Sequence, residues 1–182
     1  FNFTQTRKGA NDLLEALTVM PDMLPAGRKS VLKDVLLLTF GDTGGFSFAG
    51  APCEWRHAGL LKTTQELCHM YHAADILAVP SHDDCGPLTV NEAFMCGLPV
   101  VAYDVGVSPD LIRSEQSGYV ARRRDIRDYA QGIMHCLLRD KTDKGSDEIK
   151  GLRKMCTPGY QADQYIALCA DIRKNKSRED RT

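Results

Sequence analysis

The stretch from Pro80 to Gly106, PSHDDCGPLTVNEAFMCGLPVVAYDVG, limits what this chain can fold into more than any other. It reads as the end of a buried strand, a polar turn, a short helix near residues 87–97 and a second buried strand over Pro99 to Tyr103. Continuous apolar strands joined through a helix are the pattern of a parallel sheet covered on both faces. Where such a strand gives way to a helix, the unpaired N–H groups and the helix dipole favour anions and polar ligands. Two acids frame the turn and helix: Asp84 and, eight positions later, Glu92. Pro87 suits the first helical position, where a missing N–H costs little, and the amides of Leu88 and Thr89 would then be free for a phosphate. The same spacing fits a plainer arrangement, in which Asp84 or Asp83 caps the helix and Glu92 is solvated.

The rest of the chain alternates in the same way. Residues 1–3 read as the tail of a first strand. Arg7-Lys8-Gly9 leads into a helix with Leu13, Leu14 and Leu17 on one face, ended by Pro21. Val35 to Phe40 (VLLLTF) reads as a strand covered on both faces, followed by the flexible turn GDTGG at 41–45. Residues 46–55 read as irregular and 56–61 (RHAGLL) as a short strand. Thr63 or Thr64 caps a helix with Leu67, Met70, Tyr71 and Ala74 at helical spacing. Ser108-Pro109-Asp110 starts a helical turn, and Gly118-Tyr119-Val120 reads as a last edge strand. Three apolar helical stripes follow: Ile126, Tyr129, Ala130, Ile133 and Leu137; Ile149, Leu152 and Cys156; Ala162, Tyr165, Ile166 and Cys169. The charged end, RKNKSREDRT, is expected to fray. Strands alternating with helices predict an α/β fold with a doubly wound parallel sheet.

Composition narrows the classes. The 182 residues suffice for one domain with its own core. A net charge of -1, from 23 basic and 24 acidic residues, speaks against a nucleic-acid binder that works through bulk charge. No apolar run approaches the roughly 20 residues of a membrane span, and the first residues, FNFTQTRKGAND, hold no signal-peptide core. The missing initiator Met and the strand-like start read as a fragment. Seven scattered cysteines without a C-x-x-C pair suit reduced, buried thiols of a cytosolic protein rather than a disulfide framework.

Other constellations are less specific. Arg7 and Lys8 form a cation pair that either reaches a phosphate or is solvated. The GDTGG turn lacks the G-x-G-x-x-G spacing and the acid that should follow it, so it reads as an ordinary loop. Cys68, His69 and His72 resemble metal-ligand spacing, but Cys68 and His69 point different ways on a helix and no second pair follows, so no metal site is assigned. His82, in the polar turn, either touches a bound sugar or contacts nothing. Arg122-Arg123-Arg124 reads as a solvated face, with a membrane-surface or partner contact as the alternative. No Ser/His/Asp triad or nucleophile elbow is present.

The segment AADILAVPSHDDCGPLTVNEAFMCGLPVVAYDVGVSPDLI, with RKGANDLLEAL near the start, closely resembles the signature of glycosyltransferase family 4, the retaining GT-B transferases. The resemblance runs from about Asn2 to Leu137. It implies a Rossmann-like sheet forming the C-terminal half of a GT-B fold. In that reading a donor domain covers residues 1–175, residues 176–182 are a charged, disordered tail, and the N-terminal acceptor domain lies outside this chain. The implied donor is a nucleoside diphosphate sugar, linked to UDP or GDP, and the implied acceptor is a glycan or a lipid, with no cofactor and no metal. A cytoplasmic location follows, compatible with peripheral membrane contact.

The family's E-x7-E motif corresponds to Asp84-x7-Glu92, which are then the catalytic pair: Asp84 bonds hydroxyls of the donor sugar and Glu92 the ribose. The implied donor-binding set is Arg7, Lys8, Leu61, His82, Gly86, Leu88, Thr89 and Glu92. Lys8 matches the diphosphate-binding lysine, Leu88 and Thr89 match backbone amides at the diphosphate, and His57 to Leu61 borders the base. Two departures stand out. Asp84 is shorter than the usual Glu by one methylene, and the upstream Arg in a G-R context is missing from a stretch that holds Asn2, Phe3 and Gln5. These departures motivate a rival reading, a non-catalytic GT-B-like binding or scaffold domain. A GT-B UDP-sugar epimerase domain is a third. With half the cleft missing, the chain alone is expected to be inactive in transfer.

Overall fold

The structure, a computed structural model of the chain, describes residues 5–24, 32–86, 88–139 and 147–179. The strand expected over residues 1–3 and the helix-starting role of Pro87 lie outside the described residues. A 3₁₀ turn (Thr6–Lys8) runs into α1 (Ala10–Met23), followed by β1 (Leu36–Thr39) and β2 (Glu54–His57). Then come α2 (Thr64–Ala73), β3 (Leu77–Val79), α3 (Leu88–Met95) and β4 (Val100–Tyr103). The chain continues with α4 (Ser108–Leu111), β5 (Gly118–Ala121), α5 (Ile126–Leu138), α6 (Asp147–Met155) and α7 (Pro158–Glu179). β1 pairs with β2, and β3, β4 and β5 pair in that order; every pairing is parallel. The α/β alternation and the parallel pairing are those expected from the sequence.

β4 is the centre of the packing. Its four residues are all buried, and successive side chains point to opposite faces. Val101 and Tyr103 join one apolar cluster with α1 and α5, through Leu13, Leu17, Tyr129 and Ile133. Val100 and Ala102 join the other, with Tyr71 of α2, Val90 and Phe94 of α3 and Leu152 of α6. One four-residue strand thus anchors helices on both sides, as its uninterrupted apolar sequence requires.

Several local features differ from the sequence expectation. α1 does not stop at Pro21 but continues to Met23. Pro21 sits in the last turn, where it removes only one helical hydrogen bond, and Leu24 N still bonds Met20 O at 3.2 Å. β1 is not covered on both faces: Leu36 is 43% exposed. Among the described residues β1 pairs only with β2 and β3 only with β4. Residues of both strands line a cavity of about 440 Å³, along with Leu13, Leu17 and Leu137. An apolar run reports hydrophobic surroundings but not which edge is paired. β2 starts earlier than RHAGLL suggested, at Glu54, because its register against β1 runs from Leu36↔Glu54 to Thr39↔His57.

The helix ends follow local chemistry. Thr63 caps α2 by accepting from Glu66 N at 3.1 Å, and the Glu66 carboxylate accepts from Thr63 N at 3.0 Å, a reciprocal capping box. Asp125 caps α5 through Asp128 N at 3.0 Å. α7 carries helix through Glu179, into the stretch read as a charged tail; residues 180–182 lie outside the described set. Its apolar stripe is exposed, with Tyr165 at 69% and Ile166 at 67%. Leu152 of α6 is buried as expected, while the Ile149 side chain lies outside the described residues. The seven cysteines carry no disulfide, but Cys85 and Cys169 are exposed and only Cys136 is fully buried. The expectation of buried thiols therefore holds for one of them.

Two glycines bring separate segments onto the turn after β3. Gly9 has φ 69°, and a Cβ there would lie 1.8 Å from Pro80 O. Gly106 has φ 58°, and a Cβ there would lie 2.1 Å from Asp84 O. His82 N donates to Arg7 O at 2.7 Å across the first of these contacts. Only a residue without Cβ fits both the left-handed backbone and the approach. Gly9→Ala should therefore destabilise the chain by at least about 2 kcal/mol in urea unfolding, from left-handed strain plus the clash. Gly45→Ala is the comparison: φ is positive there as well, at 89°, but no atom lies within 4 Å of an added Cβ. It should cost only the strain, about 1 kcal/mol. Equal costs at the two sites would rule out the close approach as the cause.

Candidate functional site

The site is built on the turn from Pro80 to Gly86, at the C-terminal end of β3. This end of a parallel strand, with a helix following, is where open α/β sheets hold ligands. The start of α1 delivers Lys8 to it: Lys8 Nζ donates to Asp84 Oδ2 at 2.5 Å, across 76 residues of sequence. Asp84 Oδ1 accepts from Gly86 N at 3.2 Å. Arg7 stands at the rim, its Nη1 4.0 Å from Asp84 Oδ2 and donating to Asp83 O at 3.2 Å. The Lys8 and Asp84 side chains are 18% and 13% exposed, so solvent screens their attraction only in part. Burial pushes the Asp84 carboxyl up, but the Lys8 hydrogen bond, the Gly86 amide and the charges of Lys8 and Arg7 outweigh it. The net result holds the carboxyl below its ordinary value.

Both oxygens of Asp84 are engaged, one by a cation and one within its own turn. The residue before α3, and with it the cap of that helix, lies outside the described residues. Arg7 and Lys8 are not simply solvated, since both turn towards the Asp83–Asp84 segment.

His82 has a partner that the sequence did not suggest. Its Nε2 lies 2.6 Å from Asp12 Oδ2, and Tyr103 OH donates to the same oxygen at 2.9 Å. Tyr103 is fully buried and packs against Tyr129 with ring centroids 4.7 Å apart. Burial, then the Asp12 hydrogen bond and charge, push the Tyr103 phenol well up, which keeps it a donor. Asp12 thus ties α1, the turn and β4 together. In sequence it was only an acid in the first turn of a helix.

Glu92 lies in the second turn of α3 and is not left to solvent. Tyr71 OH, from α2, donates to its Oε2 at 2.7 Å. Leu88 and Thr89 are the first residues of α3, where amides have no partner within the helix. Leu88 is exposed, at 71%. The hydroxyls of Thr89 and Ser81 are buried and have no hydrogen-bond partner among the described residues. Such groups are costly unless water or a ligand meets them. Leu61 is half-buried in the loop after β2, and Gly86 serves through its amide. The structure thus gathers Arg7, Lys8, Asp84, Gly86 and His82 around one turn, while Glu92 is engaged by Tyr71 rather than by a cation.

Elsewhere, Arg122 is ion-paired with Asp125 at 3.0 Å and with Asp128 at 3.2 Å, yet its side chain is 78% exposed and Arg123 and Arg124 are exposed beside it, a solvated face as expected. Among the described residues no group of three or more His, Cys, Asp or Glu side chains is placed to hold a metal ion.

A family model described as "Glycosyl transferases group 1" matches residues 55–149. A D-inositol 3-phosphate glycosyltransferase of Saccharomonospora viridis is 41% identical over 75 residues, which are 41% of this chain and 17% of that protein. The chain thus spans about a sixth of this curated relative's length. Among solved structures, a variant of S. aureus TarM in complex with fondaparinux, alpha-GlcNAc-glycerol and UDP superposes with a TM-score of 0.66 at 19% identity, over 89% of this chain and 33% of that one. Anabaena Alr3699/HepE in complex with UDP-glucose gives 0.60 at 19% identity, over 92% of this chain and 46% of that one. At that identity these likenesses show the fold, α/β of the GT-B type.

The Asp84 carboxyl ionises more readily folded than unfolded. Its contribution to stability is full above the ordinary value of 3.8 and is lost as pH falls through the lower folded-state value. At pH 6, Asp84→Asn should be less stable than the parent chain by about 1 kcal/mol, the scale of a charge-assisted bond discounted for screening. The difference should shrink as pH falls towards about 2. Urea unfolding at stepped pH measures it, and a difference that stays constant through that range would mean that Asp84 does not act as an anion.

Proposed function

The chain belongs to the group 1 glycosyl transferases, and we propose that it binds the nucleotide-sugar donor of such an enzyme. The observation that carries the reading is the Lys8–Asp84 pair, set at the C-terminal end of β3 by two segments far apart in sequence. A diphosphate would draw on Lys8 and Arg7 and on the amides of Leu88 and Thr89, the start of a helix that follows a parallel strand. Once Lys8 turns to a phosphate, Asp84 Oδ2 becomes an acceptor for hydroxyls of the donor sugar. Glu92 accepts from the ribose, His82 and Gly86 border the sugar and diphosphate, and the segment 57–61 with Leu61 borders the base. The names of the relatives fit this reading, since one is a glycosyltransferase and one solved neighbour holds UDP-glucose.

In the transfer itself the bond from the anomeric carbon to the diphosphate oxygen breaks, one to an acceptor oxygen forms, and the acceptor hydroxyl's proton passes to the departing diphosphate, with retention in this reading. Negative charge grows on the departing diphosphate. Cations and helix amides already aimed at it stabilise that charge without reorganising. The reading needs no cofactor and no metal. The acceptor, a glycan or a lipid, would sit on a second domain facing this turn. No helix among the described residues is long and apolar enough to cross a membrane. A cytoplasmic setting with peripheral membrane contact belongs to the proposal.

One observation favours a second reading, a non-catalytic binding domain: both Asp84 oxygens are already satisfied within the chain. Calorimetry with UDP, GDP and their glucose and mannose derivatives separates the two. The donor-binding reading expects one nucleoside diphosphate to bind, and Lys8→Ala to weaken it by about 1.5–3 kcal/mol, the scale of a lost charge-assisted bond. It expects Asp84→Ala to weaken the sugar-linked form more than the bare diphosphate. Binding of none of these ligands would sink the reading in favour of the second.

A further inference from the structure

We propose that Tyr71 is a positioning residue for donor recognition: its hydroxyl holds the Glu92 carboxylate in the orientation that takes the ribose hydroxyls. The inference rests on the donor-binding reading above and adds a residue from α2 to it. Tyr71 OH donates to Glu92 Oε2 at 2.7 Å. Among the described residues, Glu92 Oε1 makes no other hydrogen bond or ion pair, so one oxygen is fixed and the other is left to accept. Asp84 differs, since both its oxygens are engaged.

The tyrosine is itself held firmly. It is 3% exposed, and its ring meets Phe40 edge-on, with centroids 6.0 Å apart at 86°. Its helix starts from the Thr63–Glu66 capping box. A buried phenol needs a hydrogen-bond partner, and Glu92 is the one it has. Burial, then the Glu92 hydrogen bond and charge, push the phenol far up, so the group acts as a donor throughout the ordinary pH range. Tyr71 also lines the same cavity as Thr89, which stands three residues before Glu92 and so on its face of α3. The unpartnered Thr89 hydroxyl shows that this face carries polar groups not yet satisfied by the protein.

A glutamate side chain has three rotatable bonds, and a ligand that must order them binds less tightly. A carboxylate ordered in advance by a rigid donor avoids that cost, which is the usual effect of a supporting hydrogen bond behind a binding group. Tyr71 should therefore act on ribose recognition specifically, not on affinity for the diphosphate.

Calorimetric titration of the chain with UDP and with 2′,3′-dideoxy-UDP, and with the guanosine pair, tests this. The parent chain should prefer the ribose form, and Glu92→Gln should remove the preference. Tyr71→Phe should lower the preference roughly fivefold, the scale of one lost hydrogen bond, while leaving affinity for the dideoxy form unchanged. A tyrosine that merely packs would change both affinities together or neither, and either result overturns the inference. A parent chain with no preference for ribose would instead overturn the role of Glu92, and the inference with it. A readout that does not depend on Tyr71→Phe folding is the NMR signal of a labelled Tyr71 ring in the parent chain. It should shift with UDP and not with the dideoxy form, and an identical response to both would also overturn the inference.

Discussion

The site depends on two places where backbone meets backbone with no room for a side chain. Gly9 lies against Pro80 O and Gly106 against Asp84 O, and both have left-handed φ. These contacts close the turn after β3 between the start of α1 and the loop after β4. Without them the cation at residue 8 would have no fixed relation to the acid at residue 84. The charged pair is a consequence of that closure more than its cause. A partly exposed ion pair contributes little stability, whereas the steric requirement at a glycine allows one arrangement.

Behind the turn stands a rigid support. β4 is buried on both faces and links two apolar clusters, to both of which its neighbours β3 and β5 also contribute side chains. From the first cluster Tyr103 reaches Asp12 and so His82; from the second Tyr71 reaches Glu92. Each polar side chain of the site that is held by a phenol is therefore fixed from a different core. The two phenols play the same physical part. Each is an apolar body with a polar end, buried where its ring packs and ending where a carboxylate needs orienting.

Much of the architecture could be read from residues. The strand end at Pro80, the polar turn and the strand over Pro99 to Tyr103 announce β3, the turn and β4, because uninterrupted apolar residues between breakers leave few alternatives. A threonine cap at 63 or 64 is visible in the same way, and the structure selects Thr63. The errors have physical causes. Pro21 reads as a stop in sequence, but a proline in the last turn loses a single bond. VLLLTF reads as buried on both sides, but Leu36 is exposed, since composition does not say which strand edge is paired. The site was less legible than the fold. Asp84, Glu92, Lys8 and Arg7 could be singled out as types, yet their grouping came from the resemblance to a family. Asp12 and Tyr71 were missed as site residues. Helical periodicity shows which residues face a core, but not which partner a buried polar atom meets there.

The 76-position separation of Lys8 and Asp84 also bears on the order of events in folding. β3, α3 and β4 lie close in sequence, so their mutual packing closes short loops and can form early. Docking the start of α1 onto the turn closes a much longer loop and belongs to the later steps. Contacts made that late are absent from most of the transition state. Strengthening or weakening them acts mainly on how fast the native chain comes apart, and only slightly on how fast it assembles. The end of the fold that holds the Lys8–Asp84 pair is thus where its kinetic lifetime is set, while its speed of formation is set around β4.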